Sequence, residues 1–130
     1  MRILLVEPEP HAREGLRAIL SYVGHEVSVA EDIPAGFARL ASEPFDLLLL
    51  DADVPPSRNV MVSVLDLLRL ARRGDPEVGG IVIASCVEEV PGDLAAEGVL
   101  AVLEKPVELS RLRLALEAAA SRQGQRRSAV

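Results

Sequence analysis

Four polar residues of this chain each close an apolar run: Glu7 after ILLV, Asp51 after FDLLLL, Ser85 after IVIA and Lys105 after VLAVLE. Core strands do not need two acids, a hydroxyl and an ammonium at one end. Brought together, the four would make a small polar site suited to an acyl phosphate at Asp51. A carboxylate oxygen attacks phosphorus, and the charge that spreads over the equatorial oxygens calls for Mg²⁺, a hydroxyl or amide donor and a cation. Carboxylates and waters hold so hard a metal. Lysine is a compact point charge that fits a phosphoryl oxygen. Taken singly, each residue has a plainer reading: a capping or turn acid, a serine after a strand, a lysine beside a turn proline. Only their joint placement argues for a site.

That placement depends on the strands. FDLLLLD, Phe45 to Asp51, has no polar face before its final acid, as expected of a strand covered by helices on both sides. Asp51 should then sit at the carboxyl end, where open α/β sheets carry their ligands. Ile3 to Val6, Glu26 to Ala30, Gly80 to Ser85 and Val99 to Leu103 read as four more strands. Between them lie helical stripes. Ala12, Leu16, Ile19 and Val23 recur at helical spacing, and Gly24 is placed to close that helix. Asp32 can cap a second helix, with Pro34 in its first turn and Pro44 beyond its end. DVPPSRN, Asp53 to Asn59, is a loop, followed by a helix from about Val60 to Arg73. Glu88 to Glu97 should be a short fourth helix, interrupted early by Pro91 and Gly92. Leu109, Leu112, Leu116 and Ala119 share one stripe of a last helix.

Five alternations of strand and helix with short connections imply parallel strands, right-handed crossovers and helices on both faces. The expected fold is α/β: a three-layer, flavodoxin-like (βα)5 sandwich with sheet order 2-1-3-4-5. Strands one and three are then neighbours, so Glu7 and Asp51 meet. We expect one domain over residues 1–121 and a basic, disordered tail over 122–130, because RQGQRRSAV has no apolar face.

Composition narrows the function. Hydrophobic residues make up 49%, with one Tyr and two Phe, so Leu, Val, Ile and Ala must fill the core. A net charge of -6 and a pI near 4.9 argue against direct nucleic-acid binding. No apolar run approaches a membrane span or a secretion signal, and the single Cys86, read as a buried thiol, cannot make an internal disulfide. These features point to a cytoplasmic protein. His11 and His25 have no partner ligands at metal spacing and should face solvent.

The runs ILLVEPEPHAREGL, FDLLLLDADVPP, IVIAS and LEKP, in this order at strand ends, resemble the receiver domain of bacterial two-component response regulators. The resemblance extends from about Arg2 to Ala120. It implies that Asp51 accepts a phosphoryl group from a histidine kinase or phosphotransfer protein. It also implies that Glu7 and Asp51 hold Mg²⁺ with the backbone carbonyl of Asp53, and that Ser85 and Lys105 contact the phosphoryl group. Pro106 matches a proline often preceded by a cis bond. The output would be a downstream protein or a homodimer on the face of the fourth helix, fifth strand and last helix. Enzymatic activity beyond phosphoacceptance and self-dephosphorylation is not implied.

Three departures accompany the resemblance. Glu7-Pro8 stands where the family has two adjacent acids, which leaves Glu9 as a further candidate ligand if the loop bends toward the metal. Val102 replaces the fifth-strand aromatic, and the loop after Asp51 is longer than usual, without glycine. Pro8 and Val102 support an alternative, a pseudo-receiver that binds partners without phosphate. A flavodoxin-like enzyme or nucleotide binder is a third reading. EPEPH, standing where a glycine-rich phosphate loop would be needed, argues against it.

Overall fold

The computed structural model describes residues 1–55, 63–90 and 93–128. Its five strands are β1 (Arg2–Val6), β2 (Glu26–Ala30), β3 (Leu47–Asp51), β4 (Gly79–Ala84) and β5 (Val99–Glu104). All are parallel, in the order β2-β1-β3-β4-β5, as the alternation of elements predicts. The helices are α1 (Pro10–Tyr22), α2 (Ile33–Ser42), α3 (Val64–Gly74) and α4 (Leu109–Ser128).

The four leucines of β3 divide between two cores. Leu48 and Leu50 face one side with Leu4, Val6 and Val82, beneath Ile33 of α2 and Leu65, Leu67 and Leu68 of α3. Leu47 and Leu49 face the other with Ile3, Leu5, Ile81 and Ile83, beneath Leu20 of α1 and Leu112 and Leu116 of α4. None of the four is more than 1% exposed. Each contributes roughly 2 kcal/mol by leaving water, which fixes the central strand firmly enough to carry a buried acid at its end.

Local signals set the helix ends. Gly24 follows α1 at φ 107°, a conformation that side chains with a Cβ rarely adopt. Asp32 accepts the Ala35 N–H at 2.8 Å and so caps α2, while Ser63 and Asp66 form a capping box at the start of α3.

Five sequence expectations need correction. The fourth helix, expected over Glu88–Glu97, is reduced to a 3-10 turn at Val87–Glu89 and a series of turns from Leu94 to Gly98. Its Pro91 and Gly92 lie outside the described residues. Helix α3 begins at Val64 rather than near Val60, since Ser63 is its cap; residues 56–62, which include most of the expected loop, are outside the described set. Helix α4 does not stop at Ser121 but continues to Ser128. Two polar anchors hold the extension: Gln123, 9% exposed, donates to the Asp46 carbonyl at 3.4 Å, and Arg122 pairs with Glu77 at 3.7 Å. Finally, Cys86 is half-buried rather than buried, and His25 is half-buried with its Nδ1 3.0 Å from the Met1 amino group. His11 is exposed, as expected. Among the described residues, no helix is long and apolar enough to cross a membrane.

Candidate functional site

Strand register brings the polar residues to one edge. Val6 pairs with Leu50 and Asp51 with Ile83, so Glu7 and Asp51 end neighbouring strands at one level. Ala84 pairs with Glu104, which sets Ser85 beside Lys105 one step further out. Each of the four follows a residue of the α1–α4 core by two positions: Leu5, Leu49, Ile83 and Leu103. The backbone is held as closely. Glu7 N–H donates to the Ala30 carbonyl at 3.0 Å, Ala52 N–H to Ile83 at 2.8 Å and Lys105 N–H to Ala84 at 2.9 Å. The Lys105–Pro106 peptide is cis.

Asp51, 2% exposed, has both carboxylate oxygens engaged. Oδ1 accepts the Asp53 N–H at 2.8 Å, and Oδ2 accepts Lys105 Nζ at 2.7 Å. The same ammonium lies 3.0 Å from Asp53 Oδ2. Burial pulls the Lys105 ammonium toward a lower pKa, but its bonds to Asp51 and Asp53 outweigh this and hold it above its ordinary value. The ion pair is half-wet on the lysine side and dry on the aspartate side. Lys105→Met should therefore cost about 2 kcal/mol at pH 7, mostly because Asp51 is left buried and uncompensated. A lower urea midpoint with an unchanged slope would show it; an unchanged midpoint would mean that solvent already balances Asp51.

Glu7 is the least satisfied group. It is 5% exposed, and its Oε2 has no hydrogen-bond partner. Burial first, then a hydrogen bond to Asp51 and repulsion from its charge, push the Glu7 carboxyl up to about 8, against the opposing pull of Lys105. A carboxyl beside a carboxylate has two remedies: a shared proton or a cation between them. Among the described residues, no cluster of three or more His, Cys, Asp or Glu is arranged to hold a metal. The Glu7–Asp51 pair supplies two side chains, and its orphaned oxygen is the feature that a hard cation would satisfy, with water completing the shell.

Two acids make contacts that the sequence did not predict. Glu9 caps α1: its Oε1 accepts the His11 N–H at 3.1 Å and its Oε2 the Ala12 N–H at 2.6 Å. Those bonds hold the fully exposed Glu9 carboxyl below its usual range. It is engaged with the helix rather than turned to Asp51. Asp53 was expected to contribute a backbone carbonyl, yet its side chain enters the site. Its Oδ2 accepts Ser85 Oγ at 2.6 Å and Ser85 N–H at 3.2 Å. The Ser85 hydroxyl, then Lys105, keeps this carboxyl below its ordinary value. The D-A-D spacing of Asp51 and Asp53 is the sequence signal for this contact. Arg13 is a further residue that sequence reasoning missed: its guanidinium donates to the Glu7 carbonyl at 2.9 Å and to that of Pro8 at 3.4 Å, fixing the loop after β1. Val102 packs half-buried against the α2–α3 core.

Residues 3–117 match the family model described as the response regulator receiver domain. A response regulator receiver protein of Anaeromyxobacter sp. is 36% identical over 112 residues, covering 85% of this chain and 45% of the relative. The response regulator protein PilR of Pseudomonas aeruginosa is 32% identical over 114 residues, covering 86% and 24%. The chain thus spans less than half the length of these curated relatives. Among solved structures, NtrX from Brucella abortus in complex with ATP superposes with a TM-score of 0.82 at 28% identity, over 98% of this chain and 29% of that one. The response regulator TrrA from Thermotoga maritima, in complex with Mg²⁺ and BeF, gives 0.74 at 24% identity over 91% and 97%, a likeness of fold.

Proposed function

We infer function from the premise that this chain belongs to the family of response regulator receiver domains: Asp51 is its phosphoacceptor, charged by a histidine kinase or phosphotransfer protein. The observation that carries this reading is the buried Asp51 carboxylate at the end of β3, 2.7 Å from Lys105 Nζ. An Asp51 oxygen forms the new bond to phosphorus as the bond to the donor's leaving group breaks, and the leaving group departs with its electron pair. The Lys105 ammonium and Ser85, through its hydroxyl and N–H, together bind the phosphoryl group. Glu7, Asp51 and the Asp53 carbonyl are the residues that would hold Mg²⁺. The cation's contribution is to balance charge on the phosphoryl oxygens.

Phosphorylation adds charge at the carboxyl edge of the sheet, and the altered packing is read on the neighbouring surface. That surface consists of the Val87–Glu89 turn, β5 and α4, where Val87, Leu100 and Leu114 are exposed. A downstream protein or a second copy of the chain would bind there.

Incubation with acetyl phosphate and Mg²⁺ should add one phosphoryl group by intact mass, and hydroxylamine should remove it. A folded chain that gains no mass over a broad Mg²⁺ range would overturn the phosphoacceptor reading. It would favour the pseudo-receiver instead, for which Pro8 in place of an acid and the ringless Val102 are the specific support.

A further inference from the structure

The donors that an incoming phosphoryl group needs are already engaged by a side chain of the protein itself. Asp53 Oδ2 accepts the Ser85 hydroxyl at 2.6 Å, the Ser85 N–H at 3.2 Å and Lys105 Nζ at 3.0 Å. A hydroxyl, an amide and an ammonium converging on one oxyanion form the bonding set of a single phosphoryl oxygen. The Asp53 backbone is pinned, because its N–H donates to Asp51 Oδ1 at 2.8 Å. Its side chain is 41% exposed and can swing into solvent without moving that backbone.

We propose that the Asp53 carboxylate is a tethered occupant of a phosphoryl-oxygen seat: it holds Ser85 and Lys105 together in the resting chain and must leave before Asp51 is phosphorylated. The inference rests on the receiver reading of Asp51. Displacement slows acceptance in two ways. Ser85 and Lys105 must be freed from charge-assisted hydrogen bonds, and an anionic donor must approach an anion only two residues beyond the nucleophile. Asp53 is a positioning residue here. It never touches phosphorus, and its substitution leaves every proposed contact of the phosphoryl group in place, including its own backbone carbonyl.

The test compares the intact chain with Asp53→Asn and Asp53→Ala, following acetyl phosphate uptake by mass at fixed Mg²⁺. Both variants should be phosphorylated at least about fivefold faster, since asparagine removes the charge and alanine removes the side chain. In Asp53→Ala without phosphate, the Ser85 amide proton resonance should also move upfield as its acceptor is lost. A purely structural role would lower stability and leave the rate where it was. Variant rates equal to or below that of the unmodified chain would overturn the proposal while leaving the receiver reading intact. No uptake by any of the three folded proteins would remove the receiver reading and the inference with it.

Discussion

Asp51→Asn will take up no hydroxylamine-labile phosphoryl group from acetyl phosphate, and it will remain folded. The first outcome follows from chemistry: a carboxamide oxygen is not the anionic nucleophile that a carboxylate is, and none of the other side chains around Lys105 stands in its place. The second follows from shape. Asparagine fills nearly the same volume and keeps an oxygen to accept the Asp53 N–H, now 2.8 Å from Oδ1. That choice turns the NH₂ toward Lys105, where two donors would face each other, so the ammonium should shift onto Asp53 Oδ2, already 3.0 Å away. The lost ion pair is partly offset because no buried charge remains at position 51 to be kept out of water, and the net change in stability should stay within about 2 kcal/mol. Intact mass and urea unfolding check the two halves. Uptake that persists at the original rate in a folded Asp51→Asn protein would place the phosphoacceptor on another residue.

The parts of this molecule that sequence makes legible are those governed by apolar periodicity. Leu47 to Leu50 leave no polar face, so β3 has to lie between two helical layers, and strand alternation then assigns each leucine to its core. Asp51 inherits its position from that strand. The weaker expectations fail where apolar patterning is thin. Within Glu88–Glu97 only Val90 and Leu94 are large apolar residues, too sparse a stripe to hold the expected fourth helix, and the described chain on either side of Pro91 and Gly92 forms turns. At the end of α4 the failure has the opposite sign. RQGQRRS carries no apolar stripe, yet Gln123 and Arg122 dock the helix through a carbonyl and an acid from distant elements. Long polar side chains bury their stems and bond with their tips, a use that hydrophobic patterning does not register. In the site, residue identities were readable but their bonding was not. Whether Asp53 offers a carbonyl or a carboxylate to its neighbours depends on where Ser85 and Lys105 lie, and β4 and β5 decide that. Glu7 likewise reads as one metal ligand short of a pair. Only its burial beside Asp51 reveals that it competes for a proton.

That proton yields the second large effect. Glu7→Gln should stabilise the chain at alkaline pH and flatten its pH profile. The Glu7 carboxyl sits at about 8 in the folded protein, against an ordinary 4.5 in the unfolded chain, so the folded state binds the proton more tightly. The stability contributed by that proton is fully present below pH 4.5 and is lost as pH rises through 8, because ionised Glu7 must then share a dry site with Asp51. Glutamine is neutral throughout, so above pH 8 the variant should exceed the unmodified chain by on the order of 2–4 kcal/mol and converge with it in acid. Urea midpoints across this range measure the difference. The same variant separates proton from metal. A cation that uses the orphaned Oε2 must displace the proton, so in the unmodified chain Mg²⁺ should raise the urea midpoint more at pH 8.5 than at pH 6.5. In Glu7→Gln that pH-dependent part should vanish, because there is no proton to displace and no anionic oxygen to offer. Parallel pH profiles for the two proteins would mean that Glu7 is already ionised at neutral pH. Lys105 would then be balancing three carboxylates, and the resting site would carry one more negative charge than the phosphoryl donor otherwise has to overcome.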